Sequence, residues 1–159
     1  MNKKVLFLTQ AAVIAAIYVV LIYAFQWSSF GYIQVRVAEV LTVLPYFTPA
    51  AIPGVTIGCF LSNLLTGADI LDIVFGTLAT FLGAVLSYKL RRNKFLVPLP
   101  PILANAIIVP WILRLSYGVP DAIPFMMLTV GIGEVISCGI LGLALIFILS
   151  KHKKQIFMA

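Results

Sequence analysis

The chain has 159 residues, of which 62% are apolar or aromatic and 10% charged, with a mean hydropathy of +1.12. A soluble domain carries roughly 45–50% apolar and about 25% charged residues, and a globule this small has no interior to hide the surplus, so the composition excludes a soluble domain and implies an integral membrane protein. At about 20 residues per spanning helix, the length fits about six crossings with short connections and leaves no room for a built-in ATPase.

The formal net charge of +6 invites a nucleic-acid reading, which the positions of the charges oppose. Nine of the eleven basic residues fall in three knots, Lys3/Lys4, Lys89/Arg91/Arg92/Lys94 and Lys151/Lys153/Lys154, each at the edge of an apolar segment. Such knots are solvated positive-inside loops, with anionic membrane lipid rather than nucleic acid as neighbour, and His152 goes with the last of them. Cys59 and Cys138 both lie inside apolar runs. Two cysteines build neither a disulfide framework nor a metal ligand set, so core packing is their expected role and no metal or other cofactor is expected.

In chain order, residues 5–25 are apolar except for Thr9, Gln10 and two tyrosines, too long for a signal-peptide core of about 7–15 residues. They predict the first spanning helix. It emerges at 26–32, where Trp27, Phe30 and Tyr32 suit an interfacial belt and Gly31 loosens the loop. If all three knots lie on one side of the membrane, the number of crossings between any two is even. Between Lys94 and Lys151 there are two, near 97–115 and 123–149, broken at Tyr117-Gly118-Val119-Pro120-Asp121. Between Lys4 and Lys89 four are expected, the remaining three near 37–47, 53–65 and 70–88, with Pro45, Pro49 and Pro53 marking the bend. The segments at 37–47 and 53–65 are short, so one is partly re-entrant or kinked, which is tolerable only where protein surrounds it. The expected architecture is an all-α integral membrane protein, a single transmembrane domain over 1–159 made of a six-helix bundle with both termini cytoplasmic.

Ionisable groups in hydrocarbon cost about 2.5–3.5 kcal/mol each, so those outside the knots should face protein or water. They are Arg36, Glu39, Asp69, Asp72, Arg114, Asp121 and Glu134, and on this topology all map to the outer half. Glu134 falls on the order of 15 Å below the outer start of its helix at 1.5 Å per residue, and no basic residue neighbours it in sequence. Asn63 and Asn105 add amides at similar depths, and Trp111, Tyr117 and Phe125 supply rings. The expected feature is a pocket open to the outside. The plainer readings are an Arg36–Glu39 pair on one helix face, solvated charges at Asp69, Asp121 and Arg114, a structural cap or pair at Asp72, interhelical amides and belt aromatics. On the first helix Ala11, Ala12, Ala15 and Ala16 form two overlapping small-xxx-small pairs, a flat face for close approach of another helix, whether a partner's or this bundle's own. Gly54/Gly58 and Gly139/Gly142 look like internal packing. No GxxxxGK[ST], HExxH or GxSxG pattern occurs, nor any carboxylate-rich divalent-metal motif, so an enzyme is not expected.

The run Phe30-Gly31-Tyr32-Ile33-Gln34-Val35-Arg36-Val37-Ala38-Glu39-Val40-Leu41-Thr42-Val43-Leu44-Pro45 resembles the signature that follows the first helix of the QueT family, the queuosine-precursor substrate-binding subunits of energy-coupling factor (ECF) transporters. Ile52-Pro53-Gly54-Val55-Thr56-Ile57-Gly58-Cys59, Asp72-Ile73-Val74-Phe75-Gly76-Thr77-Leu78-Ala79-Thr80, Pro100-Pro101-Ile102-Leu103-Ala104-Asn105-Ala106-Ile107-Ile108-Val109 and Gly133-Glu134 agree with it, over nearly the whole chain. The resemblance implies a six-helix S component in a prokaryotic plasma membrane that binds a deazaguanine solute from outside, hydrolyses nothing itself, and docks on a transmembrane scaffold with two cytoplasmic ATPases. The family's alanine docking surface matches Ala11/Ala15 and Ala12/Ala16. In chemical terms a deazaguanine presents adjacent N–H donors, a carbonyl and a flat ring. Glu134 or Glu39 suits the donor edge, Arg36, Asn63 or Asn105 the carbonyl, and Trp111 or Tyr117 the ring face, with Asp72 available to balance an aminomethyl cation. The rival classes are a self-sufficient ion-coupled carrier or channel, with Glu134 as a proton relay, and a structural subunit whose outer charges are salt bridges.

Overall fold

Apolar side chains on every face of a segment demand a structure that satisfies its own backbone, which in lipid means helix. The computed structural model of the chain describes residues 2–29 and 34–157, and every regular element among them is helical. They are α1 (Lys3–Ala24), α2 (Val37–Tyr46), α3 (Ala51–Leu65), α4 (Asp72–Lys89), α5 (Leu99–Leu115), α6 (Ile123–Lys151) and a short α7 (Lys153–Phe157), with a single 3₁₀ turn at Gln26–Ser29. Asn2 caps α1, its side chain accepting the Lys4 N–H at 3.0 Å. α1, α4 and α6 are long and apolar enough to cross a membrane; α3 and α5 are apolar but have 15 and 17 residues. Trp27 is exposed, as a belt residue would be, whereas Phe30, Gly31 and Tyr32 lie outside the described residues.

The second segment departs from an ordinary α-helix. α2 is a 3₁₀ helix of ten residues, far beyond the usual three or four. At about 2.0 Å per residue it reaches about 20 Å, short of the hydrocarbon thickness of about 30 Å. It needs no lipid contact, because α1, α3, α4 and α6 pack around it and seven of its residues, Ala38, Glu39, Leu41, Thr42, Val43, Leu44 and Pro45, are buried. The short segment that sequence leaves without a full span is thus the axis of the core. Two other helices also leave α geometry, α4 with a π turn at Asp72–Gly76 and α6 with a π stretch at Val135–Leu141.

The bundle has two chemically distinct ends. At one, the Lys94 ammonium sits 4.0 Å above the Phe147 ring near the end of α6, Phe47 stacks on Phe157 with centroids 4.8 Å apart, and the Thr48 hydroxyl donates to Gln10 Oε1 at 2.8 Å. The start of α1, the end of α2, the basic α4–α5 connection and the C-terminal residues therefore share this end. At the other, the Tyr117 hydroxyl accepts the Asp69 N–H at 3.3 Å and the Val35 N–H donates to the Ser28 carbonyl at 3.2 Å, gathering the remaining loops.

The basic connection is tied down by Ser87, fully buried, whose hydroxyl donates to the Val97 carbonyl at 2.7 Å. Ser87→Ala leaves that carbonyl unpaired, and a stranded buried group costs about 1–3 kcal/mol; the expected outcome is a lower SDS-unfolding midpoint in mixed micelles.

Candidate functional site

Two helix starts and two helix ends converge at the loop-rich end. Residues 34–36 run extended into α2, Asn63 lies near the end of α3, Asp72 opens the π turn of α4, and Tyr117 follows α5. Together they wall a cavity of about 410 Å³, lined by Arg36, Asn63, Asp72 and Tyr117 and also by Tyr18, Gln26, Gln34 and Cys59. A recess of about 270 Å³ against Asp121 and Phe125 shares Gln34, Leu113 and Val119 with it. Asp72 is held from two sides, the Tyr117 hydroxyl donating to Oδ2 at 3.1 Å and the Asn63 amide to its backbone carbonyl at 3.3 Å, while Oδ1 is buried with no partner. At the rim, the Ser116 hydroxyl (2.6 Å) and the Leu71 N–H (2.9 Å) both donate to Asp69 Oδ1 and hold that carboxyl below the usual range. Partial burial and the neighbouring Asp72 carboxylate raise the Tyr117 phenol.

Glu39, Glu134 and Asn105 occupy a deeper layer. Glu39 is 1% exposed and Glu134 2%, and the buried Asn105 lies beside both. Tyr18 separates this layer from the cavity, its hydroxyl donating to Glu39 Oε1 at 2.5 Å. The Arg36 guanidinium lies within electrostatic reach of Asp72, Glu39 and Glu134 together. The structure thus brings seven of the expected residues into two adjoining layers. Trp111 is not among them. It is 52% exposed, in an outward apolar groove with Leu71, Phe75 and Ile107, so the ring at the cavity is that of Tyr117. Arg114 also stays outside, donating to the Val119 carbonyl at 3.1 Å.

Sequence reasoning missed Tyr18, Gln26, Gln34 and the partnership of Cys138 with Glu134. Tyr18 was visible as a polar tip in the middle of an apolar run, and Cys138 stands four residues after Glu134, hence on the same helix face.

The alanine ladder is divided. Ala11 and Ala15 are buried against α3, where a Cβ on Gly54 would stand 3.0 Å from the Ala11 carbonyl and one on Gly58 3.1 Å from the Ala15 carbonyl. Ala12 and Ala16 are exposed. All four line an apolar surface groove of about 470 Å³ with Pro53, Ile57 and Leu61.

Helices apolar on all sides around a polar cavity entered from one end have the build of a membrane protein that handles a small polar solute. A model of the QueT transporter family matches residues 8–151, and the chain belongs to that family. Over 90 residues it is 37% identical to the queuosine precursor transporter QueT of Lactococcus lactis subsp. cremoris (strain MG1363). The match covers 53% of this chain and 53% of that relative, so the chain spans about half the length of the curated relative it matches. No solved structure matches.

The cavity wall depends on one close approach. A Cβ on Gly133 would lie 2.1 Å from the Gln34 carbonyl oxygen, which is backbone and has nowhere to go, whereas one on Gly131 would meet only Ala106 Cβ at 3.7 Å. Glycine to alanine inside a helix otherwise gains about 0.8–1.0 kcal/mol. Gly131→Ala is therefore expected to leave the melting temperature in detergent unchanged or raised, and Gly133→Ala to lower it by several degrees; equal shifts for the two would show that residues 34–36 do not press on α6.

Proposed function

We propose that the chain is the substrate-binding subunit of an ECF-type transporter that imports a queuosine precursor, a deazaguanine base. The observation that carries this is the cavity itself. At about 410 Å³ it is of the size of small-molecule sites, about 300–1,000 Å³, and it joins one cation, one carboxylate, one amide and one phenol ring. The family membership and the name of the lactococcal relative supply the solute class.

Orientation follows from charge. The basic knots at one end fit a cytoplasmic face under the positive-inside rule, which puts both termini inside and opens the cavity outward, in a prokaryotic plasma membrane crossed six times. α2 then counts as a crossing that is enclosed by protein rather than lipid. The solute enters from outside. Asp72 accepts its adjacent N–H donors once its carboxyl, packed toward Gly76 and held by Tyr117, turns into the cavity; Arg36 or Asn63 donates to its carbonyl; Tyr117 faces its ring. Glu39 stands one hydroxyl deeper, reached when Tyr18 turns away, and Glu134 and Asn105 back it.

Release inward falls to partners, since the chain carries no phosphate-binding loop. A transmembrane scaffold and two cytoplasmic ATPases would supply the energy, docking on the groove of α1 and α3. Within that groove Ala12 and Ala16 are the residues free to meet a partner, while Ala11 and Ala15 are committed mostly to α3.

Two measurements test this reading. Titration calorimetry of the detergent-purified chain with deazaguanine bases is expected to give a saturable isotherm, weakened at least tenfold by Asp72→Asn, since a buried hydrogen bond to a charged group contributes about 1.5–3 kcal/mol, and left unchanged by Trp111→Ala. Absence of binding by any such base overturns the solute assignment. For docking, Ala16→Leu is expected to abolish co-purification with the scaffold while solute affinity stays as it was. A complex that survives this substitution places the contact elsewhere.

A further inference from the structure

Behind Tyr18, two carboxyl groups and a backbone carbonyl share a few donors, a thiol, a threonine hydroxyl and the Asn105 amide. Cys138 Sγ lies 3.2 Å from Glu134 Oε2, 3.4 Å from the Glu39 carbonyl oxygen and 3.4 Å from Thr42 Oγ1. The Thr42 hydroxyl already gives its proton to the Glu39 carbonyl at 2.7 Å. One S–H therefore faces three oxygens, and a thiol can satisfy one. Glu39 Oε2 is buried with no hydrogen-bond partner in place among the described residues, the Asn105 amide being the donor beside it. Such groups are costly in a dry interior unless something positive answers them.

Charge leads to the same place. Glu39, Glu134 and Cys138 are all buried, and one ligand atom from each lies within 4.8 Å of the other two. Two carboxylates and a thiolate carry three negative charges; Arg36, the cation within reach, is shared with Asp72, and a divalent cation answers two of the three.

The spacing suits a particular class of cation. Zinc–sulfur bonds of about 2.3 Å and zinc–oxygen bonds of about 2.0–2.2 Å set the S···O edges of a tetrahedron at about 3.5 Å, close to the separation of Cys138 Sγ from Glu134 Oε2 and from either the Glu39 carbonyl or Thr42 hydroxyl, while the Glu39 carboxylate, within 4.8 Å, draws in to complete the set. Thiolate beside carboxylates disfavours magnesium and calcium and suits a borderline first-row ion.

We propose that Cys138, Glu134 and Glu39 form a buried binding site for one divalent metal ion of the zinc class, with the Glu39 carbonyl or Thr42 hydroxyl as fourth donor. Binding releases the Cys138 thiol proton to solvent and leaves the oxidation state of the metal unchanged. The ion pins the 3₁₀ helix α2 to α6 at the start of its π stretch, directly beneath the cavity. Cys138 is thus a ligand rather than core packing, and the cysteine count alone hides this because the other donors are oxygens.

The full-length, untagged chain purified in detergent is expected to carry one zinc per chain by plasma mass spectrometry. Prolonged chelation is expected to lower its melting temperature, and ZnCl₂, but not MgCl₂, to restore it. With Co²⁺ in place of zinc, a near-ultraviolet sulfur-to-cobalt charge-transfer band is expected that persists in Cys59→Ser and vanishes in Cys138→Ser. Should Cys138→Ser fail to fold, the band in Cys59→Ser decides by itself, because Cys138 is then the remaining cysteine. Metal-free protein with no thermal response to zinc and no cobalt band overturns the site, as does a band that survives in Cys138→Ser.

Discussion

Acidic groups buried within the helices are the constraint around which this bundle is arranged. Three carboxylates, Glu39, Asp72 and Glu134, are buried in a chain with few charges, and each stands where the backbone leaves α geometry. Glu39 belongs to the 3₁₀ helix α2, Asp72 opens a π turn, and Glu134 immediately precedes a π stretch. The association has a physical reason. A 3₁₀ or π segment loosens the regular ladder of backbone hydrogen bonds and survives at membrane depth only inside protein or along a polar cavity. A carboxylate in hydrocarbon has the same requirement. Placed together, both are hidden from lipid by the same enclosing helices. The Glu39 carbonyl shows how side chains answer the loosened backbone, since the Thr42 hydroxyl and the Cys138 thiol approach it at 2.7 and 3.4 Å.

Much of this is legible in sequence because insertion into lipid makes polar residues expensive. Hydropathy, proline and the basic knots bracket α1 to α6 to within a few residues and leave α7 unforeseen, and of the two short segments, expected to include one that is re-entrant or kinked, that at 37–47 proves to be wound as a 3₁₀ helix. Four of the polar residues expected to share a pocket, Arg36, Asn63, Asp72 and Tyr117, do meet at one cavity. What sequence could not carry is rotation and local winding. Composition places Trp111 at the right depth but not on the right face of α5, and hydropathy has no term that separates a ten-residue 3₁₀ helix from an α-helix. The alanine ladder shows the same limit, because a small-xxx-small pair marks a flat face without saying whose helix lies on it. Here Ala11 and Ala15 answer to Gly54 and Gly58 of the same chain.

α1 shows how few residues separate the two surfaces of the molecule. Tyr18 turns inward to Glu39 and the cavity, Ala15, one turn earlier, packs on α3, and Ala16 lies open in the outer groove. α1 and α3 meet without flexible side chains between them, since a Cβ on Gly58 would fall 2.7 Å from Tyr18 Cβ. A contact so close transmits displacement rather than absorbing it, because packed interiors have little compressibility. Pressure on the groove face of α1 would therefore shift Tyr18 along with Ala15, and Tyr18 cannot move far without breaking a 2.5 Å hydrogen bond to a buried carboxylate. Loss of that bond strips Glu39 of its Tyr18 donor and exposes it to whatever occupies the chamber. The stretch from Ala15 to Tyr18 thus makes the outer face of α1 and the wall of the cavity parts of a single rigid element.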